Sequence, residues 1–230
     1  MLTWERVTSY NAGLDFGAFN NRLNGYVEYY IRDTKDMVGP AEEITPLVGA
    51  SAPKMNNTSL RTKGWELQLT WQDRIGKVGY HASFNLSDAQ TEVTEYPNPD
   101  KTFYTKDEDG NTIENYWKGK KLGEIWEFKT VGIAKTDEEM QSWIAQHDQS
   151  KLPNVGNNIW KAGDIMYANL DDNPAIEKGT SATDPKDLTI IGNYTPRFRF
   201  GFSLGADYKG FDINPVSYTH LRAHETSQDL

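Results

Sequence analysis

From Trp65 the chain alternates. Trp65, Leu67, Leu69 and Trp71 are separated by Glu66, Gln68 and Thr70. After a short break at Asp73-Arg74-Ile75-Gly76-Lys77, Val78, Tyr80, Ala82, Phe84 and Leu86 are set against Gly79, His81, Ser83, Asn85 and Ser87. Period-two alternation places each set on its own face of a strand. The stretch Lys63 to Ser87 therefore predicts a β-hairpin with arms of about ten residues. That exceeds the ~5–6 residues of a common soluble strand and matches the ~9–11 residues with which a tilted strand crosses a bilayer. One face is apolar with aromatics at its ends and the other is polar, as in a barrel with lipid outside and a wet lumen inside.

The same pattern recurs on either side. Tyr10 to Phe19 and Leu23 to Arg32 predict an earlier hairpin turned at Asn20-Asn21. Arg197 to Tyr208 predicts a later strand, turned at Lys209-Gly210 into Phe211 and Ile213. The alternation assigns Glu66, Gln68, Thr70, His81, Ser83, Asn85, Arg197 and Arg199 to the lumen. It assigns Trp65, Leu67, Leu69, Trp71, Tyr80, Phe84, Phe198, Phe200 and Phe202 to lipid. About six strands in three hairpins follow: an all-β fold, part of an antiparallel transmembrane β-barrel. The turns near Asn20, Asp73 and Lys209 are short, whereas the connections at about 33–62 and 88–196 are long. Barrels of this class keep their long loops extracellular. Within the second connection, Thr136 and Glu139 form a capping-box pair that predicts a helix to about His147.

Composition sharpens this picture. The chain has 230 residues, no Cys and a net charge of −9. No apolar run is long enough for a transmembrane helix, which a barrel does not need. Without Cys there is no disulfide and no thiolate metal site. The acidic excess lies between Asp88 and Ile190, with 20 acids against 11 bases; the rest holds 13 of each. This predicts a solvated, acidic loop and excludes a basic nucleic-acid footprint. Met1 to Glu5 carry no signal peptide, so an exported barrel would begin upstream, and the sequence reads as a fragment.

The residues resemble the SusC/RagA family of TonB-dependent outer-membrane transporters, typical of Bacteroidetes. The resemblance is carried by Trp4-Glu5, Tyr10 to Phe16, Tyr29 to Met37, Lys63 to Leu67, Gly163 to Tyr167, Ile191 to Pro196 and Tyr208 to Asp212. It implies that residues 1–213 are the C-terminal portion of a barrel. It also implies a plug and a TonB-contacting region elsewhere, a SusD-like surface lipoprotein as partner, and import of oligosaccharides or peptides across the outer membrane. Residues 214–230 are read as a non-native tail, because alternation stops at Asn214.

Candidate chemistry is sparse. Asn169, Asp171 and Asn173 recur at i, i+2 and i+4, and the matching family segment resembles a calcium loop. Calcium takes such oxygens, so Asn169, Asp171, Asn173 and Asp187 form a candidate structural calcium site. Pro174 stands where a sharp-turn glycine would be, and the alternative is a polar turn without an ion. Trp117 and Trp160 are candidate aromatics for stacking on sugar or peptide. The alternative is that the loop's tryptophans form its own small core, favoured for Trp126 and Trp143. His81 reads as a wetted lumen side chain. No nucleophile elbow, phosphate-binding glycine loop or fixed carboxylate pair is present, so no enzyme activity is expected. The rival reading is a secreted soluble β-sandwich carbohydrate-binding module. It would bury its apolar faces between two sheets.

Overall fold

The computed structural model describes residues 2–39, 54–106, 110–150, 152 and 159–221. It divides into a sheet unit and a loop unit inserted into it. Elements in chain order are β1 (Arg6–Ala18), β2 (Leu23–Gly39), β3 (Met55–Ile75) and β4 (Val78–Glu95). The loop unit contributes β5 (Tyr104–Lys106), β6 (Thr112–Glu114), β7 (Glu124–Phe128), β8 (Thr130–Ile133), α1 (Asp137–Gln146), β9 (Ile165–Tyr167), β10 (Lys178–Ser181), β11 (Asp184–Lys186) and β12 (Leu188–Asn193). The chain then returns through β13 (Phe198–Tyr208), β14 (Phe211–Ile213) and β15 (Val216–Leu221).

The sheet unit is one antiparallel sheet of seven strands in the order β1-β2-β3-β4-β13-β14, with β15 also on β13. Its register aligns like with like across five strands. One row reads Leu14, Val27, Leu67, Leu86, Phe200. The row below it reads Phe16, Gly25, Leu69, Phe84, Phe202. Between these lies a row of the opposite face, Asp15, Tyr26, Gln68, Asn85, Gly201. A one-residue slip in any strand would move its apolar set to the polar face, so these rows fix the pairing. The apolar rows stay open: Leu14 is 63% exposed and Phe202 43%. A sandwich would have buried them, and the sandwich reading receives no support.

The strands are longer than the alternation predicts. β2, β3 and β4 have 17, 21 and 18 residues. In β3 the outward positions Lys63 and Asp73 bracket nine residues, Gly64 to Gln72, close to the ~9–11 of one tilted bilayer crossing. The rest of β3, from Met55, continues on the long-connection side. There the outward face turns charged and the inward face mixes Leu60 and Val93 with polar residues, and pairing persists without a hydrophobic period: Thr62 and Thr91 stand opposite, their hydroxyls 2.8 Å apart. Much of the expected 33–62 connection is thus strand. Residues 40–53, where its turn signals cluster, lie outside the described residues.

After β14 the ladder breaks at Asn214-Pro215, since proline has no N–H to donate, and resumes on β13 as β15. The strand at Val216–Leu221 was not expected. Pairing continues there, but the positions aligned with the apolar rows change from Phe211 and Ile213 to Ser217 and Thr219. Residues 222–230 lie outside the described residues.

The loop unit is folded around two cores. Met140, Trp160, Ile176, Leu152, Met166 and Ala134 form one, and Phe103, Trp117 and Leu188 the other. The capping box forms: Glu139 N–H donates to Thr136 Oγ1 (3.2 Å), and Glu139 Oε2 accepts from Lys135 N–H (2.7 Å). Helix α1 buries Met140 into the first core.

Candidate functional site

The polar face of the sheet is the first candidate. Gln68 and Asn85 stand directly opposite, and Glu66, Ser87 and Arg199 share the next row with Glu28. Asn11 Nδ2 donates to Glu28 Oε1 (2.9 Å), tying β1 into the same face. Ser83 and Ser203 hydroxyls approach to 2.6 Å in the row beyond Gln68. His81 stands opposite Gly205, where a Cβ would meet the imidazole ring. Seven of the eight residues assigned to the lumen, Glu66, Gln68, Thr70, His81, Ser83, Asn85 and Arg199, therefore lie on one face by register. The face mixes carboxylate, amide, hydroxyl and guanidinium groups, and it can hydrogen-bond a polar solute without fixing it.

Arg197 is a correction. It precedes β13, so strand alternation does not bind it. Its Nε and Nη2 donate to Asp88 Oδ1 (3.0 Å) and Oδ2 (2.8 Å). Asp88 is register-matched to Trp65 and so belongs to the apolar face, at its polar margin. This bidentate pair holds the Arg197 guanidinium above its ordinary pKa.

That margin is sharp. Tyr10, Tyr29 and Trp65 form an aromatic band at the upper end of the apolar face, and Trp71, Tyr80 and Tyr208 mark the lower end. Aromatic girdles of this kind mark the two membrane interfaces of a barrel. Above the upper band the same face becomes charged. Arg61 Nε and Nη2 donate to Asp33 Oδ1 (2.6 Å) and Oδ2 (2.9 Å). Sequence reasoning missed both bidentate pairs. The signal was present in the parity of Asp33, Arg61, Lys63 and Asp88, which continue the apolar rows as charges.

In the loop unit, Trp117 and Trp160 are 4% and 6% exposed. Trp117 packs on Phe103 and Trp126 at ring separations of 5.7 and 6.0 Å. The expectation that Trp117 and Trp160 present stacking faces is corrected: their rings fill the two cores, beside Phe103 and Leu188 in one and Met140 and Ile176 in the other. A groove of about 700 Å³ opens beside the first core. Phe128, Leu152, Ile165, Tyr167, Ile176 and Ile191 line it together with Glu127, Glu177 and Lys178. Burial, aided by Glu127, pushes the Tyr167 hydroxyl above its ordinary pKa.

The structure draws the proposed calcium residues into one turn. Asp171 Oδ1 accepts from Asn173 N–H (2.8 Å), Asn173 Oδ1 from Ala175 N–H (3.3 Å), and Asn169 Nδ2 donates to the Asn173 carbonyl. Asp187 is fully buried. Its two oxygens accept from Leu170 N–H (2.6 Å) and Glu177 N–H (2.8 Å). Among the described residues no group of three or more His, Cys, Asp or Glu side chains is placed to hold a metal.

Comparison with known proteins follows this geometry. The family described as TonB dependent receptor-like, beta-barrel matches residues 1–228. TonB-dependent receptor P39 of Formosa agariphila is 27% identical, with 91% of this chain aligned to 21% of the relative. TonB-dependent receptor SusC of Bacteroides thetaiotaomicron is 29% identical over 45% of this chain and 10% of its own length. Among solved structures, the RagAB peptide transporter superposes with a TM-score of 0.59 at 23% identity, over 94% of this chain and 21% of that one. That likeness is one of fold. The chain spans about a fifth of the length of the receptor P39 and RagAB chains it matches.

Proposed function

Because the chain belongs to the TonB dependent receptor-like β-barrel family, we propose that it serves as a barrel segment of an outer-membrane nutrient importer. The fold is that of a SusC/RagA-type outer-membrane β-barrel. In this reading the polar face lines the lumen, the loop unit stands on the extracellular side, and the segment acts in transport rather than in catalysis. Import is energised through TonB, assisted by a SusD-like surface lipoprotein, and takes up oligosaccharides or peptides.

The observation that carries the reading is the register. Five strands align Gln68, Asn85 and their neighbours on one face and Leu67, Leu86 and Phe200 on the other. A nine-residue crossing with aromatic girdles at both ends needs lipid on the apolar side. A polar, hydrogen-bonding wall then faces whatever passes through. That RagAB, which shares the fold, is a peptide transporter supports import.

The test uses the full-length protein in its own host. Deleting its gene should abolish growth on one class of polymer, a glycan or a protein, while growth on the corresponding monomer continues. A plasmid copy should restore it, and the purified transporter should bring a surface lipoprotein with it. Unimpaired growth on every glycan and protein supplied would reject the proposal.

A further inference from the structure

We propose that the outward face of the sheet holds the phosphate-bearing headgroup of an outer-leaflet glycolipid, with Lys35 and Lys63 as its cationic contacts. The position comes first. Lys63 is the next outward position above Trp65 on β3, opposite Ile31, which is itself one step above Tyr29 on β2. Lys35 lies on β2 two outward steps above Ile31, opposite Arg6 of β1. Lys63 therefore stands one row above Tyr29 and Trp65, level with Tyr10, and Lys35 two rows higher, both on the side of the long connections. In a barrel that side faces the exterior, so this is the level of the outer-leaflet headgroups.

Charge is the second argument. Three acids of this margin are engaged. Asp33 is held by Arg61 (2.6 Å), Asp88 by Arg197 (2.8 Å) and Asp36 by Arg6 (2.8 Å), while Glu92 stands opposite Arg61. Lys35 and Lys63 are exposed, make no ion pair among the described residues, and both act electrostatically on Asp33. The Arg61–Asp33 pair cancels itself, and the two ammonium groups flanking it outnumber Glu92, the acid opposite Arg61. An ammonium is a compact point charge suited to phosphate. Two of them above an aromatic band also fit an amphiphile, whose acyl chains would lie on Leu67 and Leu69 directly below. That continuity favours a lipid headgroup over a free phosphate. The inference rests on the barrel's orientation in the membrane, independent of what the barrel carries.

The experiment uses the full-length transporter, delipidated in a maltoside detergent that contains no phosphate, and titrated with fluorescent diphosphorylated lipid A. Lys35→Ala/Lys63→Ala should weaken binding on the order of tenfold, as two cations at a charged lipid surface predict. Lys35→Arg/Lys63→Arg should bind like wild type, and so should Lys77→Ala, which lies in the turn at the opposite end of the sheet. Dephosphorylated lipid A should bind wild type as weakly as the alanine variant binds the intact lipid. Heat-modified gel mobility reports assembly; if the alanine variant does not assemble, Lys35→Gln/Lys63→Gln replaces it. Equal binding by the neutral variant, or by dephosphorylated lipid, would overturn the proposal. So would displacement of the lipid by an equimolar amount of inorganic phosphate, which would mark a free-anion site.

Discussion

Asp187 shows how a residue can be singled out correctly for a chemistry the structure does not require. Its place near Asn169, Asp171 and Asn173 suggested an ion. In the folded chain its carboxylate joins Leu170 N–H and Glu177 N–H instead, from full burial. A carboxylate taking two backbone donors closes a loop without a metal, and each charge-assisted bond is stronger than a neutral one. Asp187→Asn keeps the shape but turns one oxygen into a donor facing a donor. It should loosen the segment 169–187 by about 1–3 kcal/mol, the cost of an unsatisfied buried group, while the barrel still assembles. Protease nicking of the intact transporter in chelator, followed by mass spectrometry, measures this. A structural ion remains a proposal with its own test. Extracellular modules bind calcium at ~10⁻⁴–10⁻³ M, so calorimetric titration into that range should show saturable heat that Asp171→Ala/Asp187→Ala removes. If Asp187→Asn matched wild type in chelator but not in calcium, the clamp role would pass to the ion.

Among the elements, the strands were legible only where their two faces differ. Between Gly64 and Gln72 one side meets lipid and the other water, so alternation is strict. Beyond Lys63 the two sides no longer differ as lipid from water, and Asp33, Arg61, Thr62 and Thr91 read as loop although their backbones are paired. The same reasoning explains Arg197, whose parity looked informative but which lies outside β13. It does not extend to β15, where Ser217 and Thr219 stand in the rows of Phe202 and Phe200. The loop unit's cores were legible in part: tryptophans beside isoleucines suggested a core, but which tryptophans would be exposed depends on tertiary packing. The face assignment itself is testable. Leu69 lies mid-belt between Gly25 and Phe84, whereas Gln68 lies between Tyr26 and Asn85. Leu69→Arg in the full-length protein should cost about 2–4 kcal/mol, the depth-dependent penalty for a cation facing lipid near the midplane. Gln68→Arg, in a wet lumen, should cost far less. Urea unfolding in lipid vesicles compares the two, and equal losses would reverse the assigned faces.

For the whole molecule, the sheet's edges decide what the 230 residues can do alone. Among the described residues β1 pairs only with β2, and the β14–β15 line only with β13. Each edge leaves a row of backbone N–H and C=O groups without strand partners. In lipid, unpaired backbone groups cost several kcal/mol each, so an open sheet does not span. In water the same edges template association, and the apolar rows add a second drive. Leu14, Val27, Phe202 and Leu204 are all exposed on one continuous face, and patches of that kind promote aggregation when nothing covers them. The loop unit's two cores are built from its own residues. The isolated chain is therefore expected to collect in inclusion bodies. After refolding into detergent it should elute as polydisperse oligomers, without the heat-modified gel mobility of a closed barrel. Size-exclusion chromatography with light scattering, and thermal melting followed by circular dichroism, measure this. A soluble monomer with one cooperative transition would contradict it, because such a protein must have buried the rows Leu14–Phe200 and Phe16–Phe202 against something within its own chain.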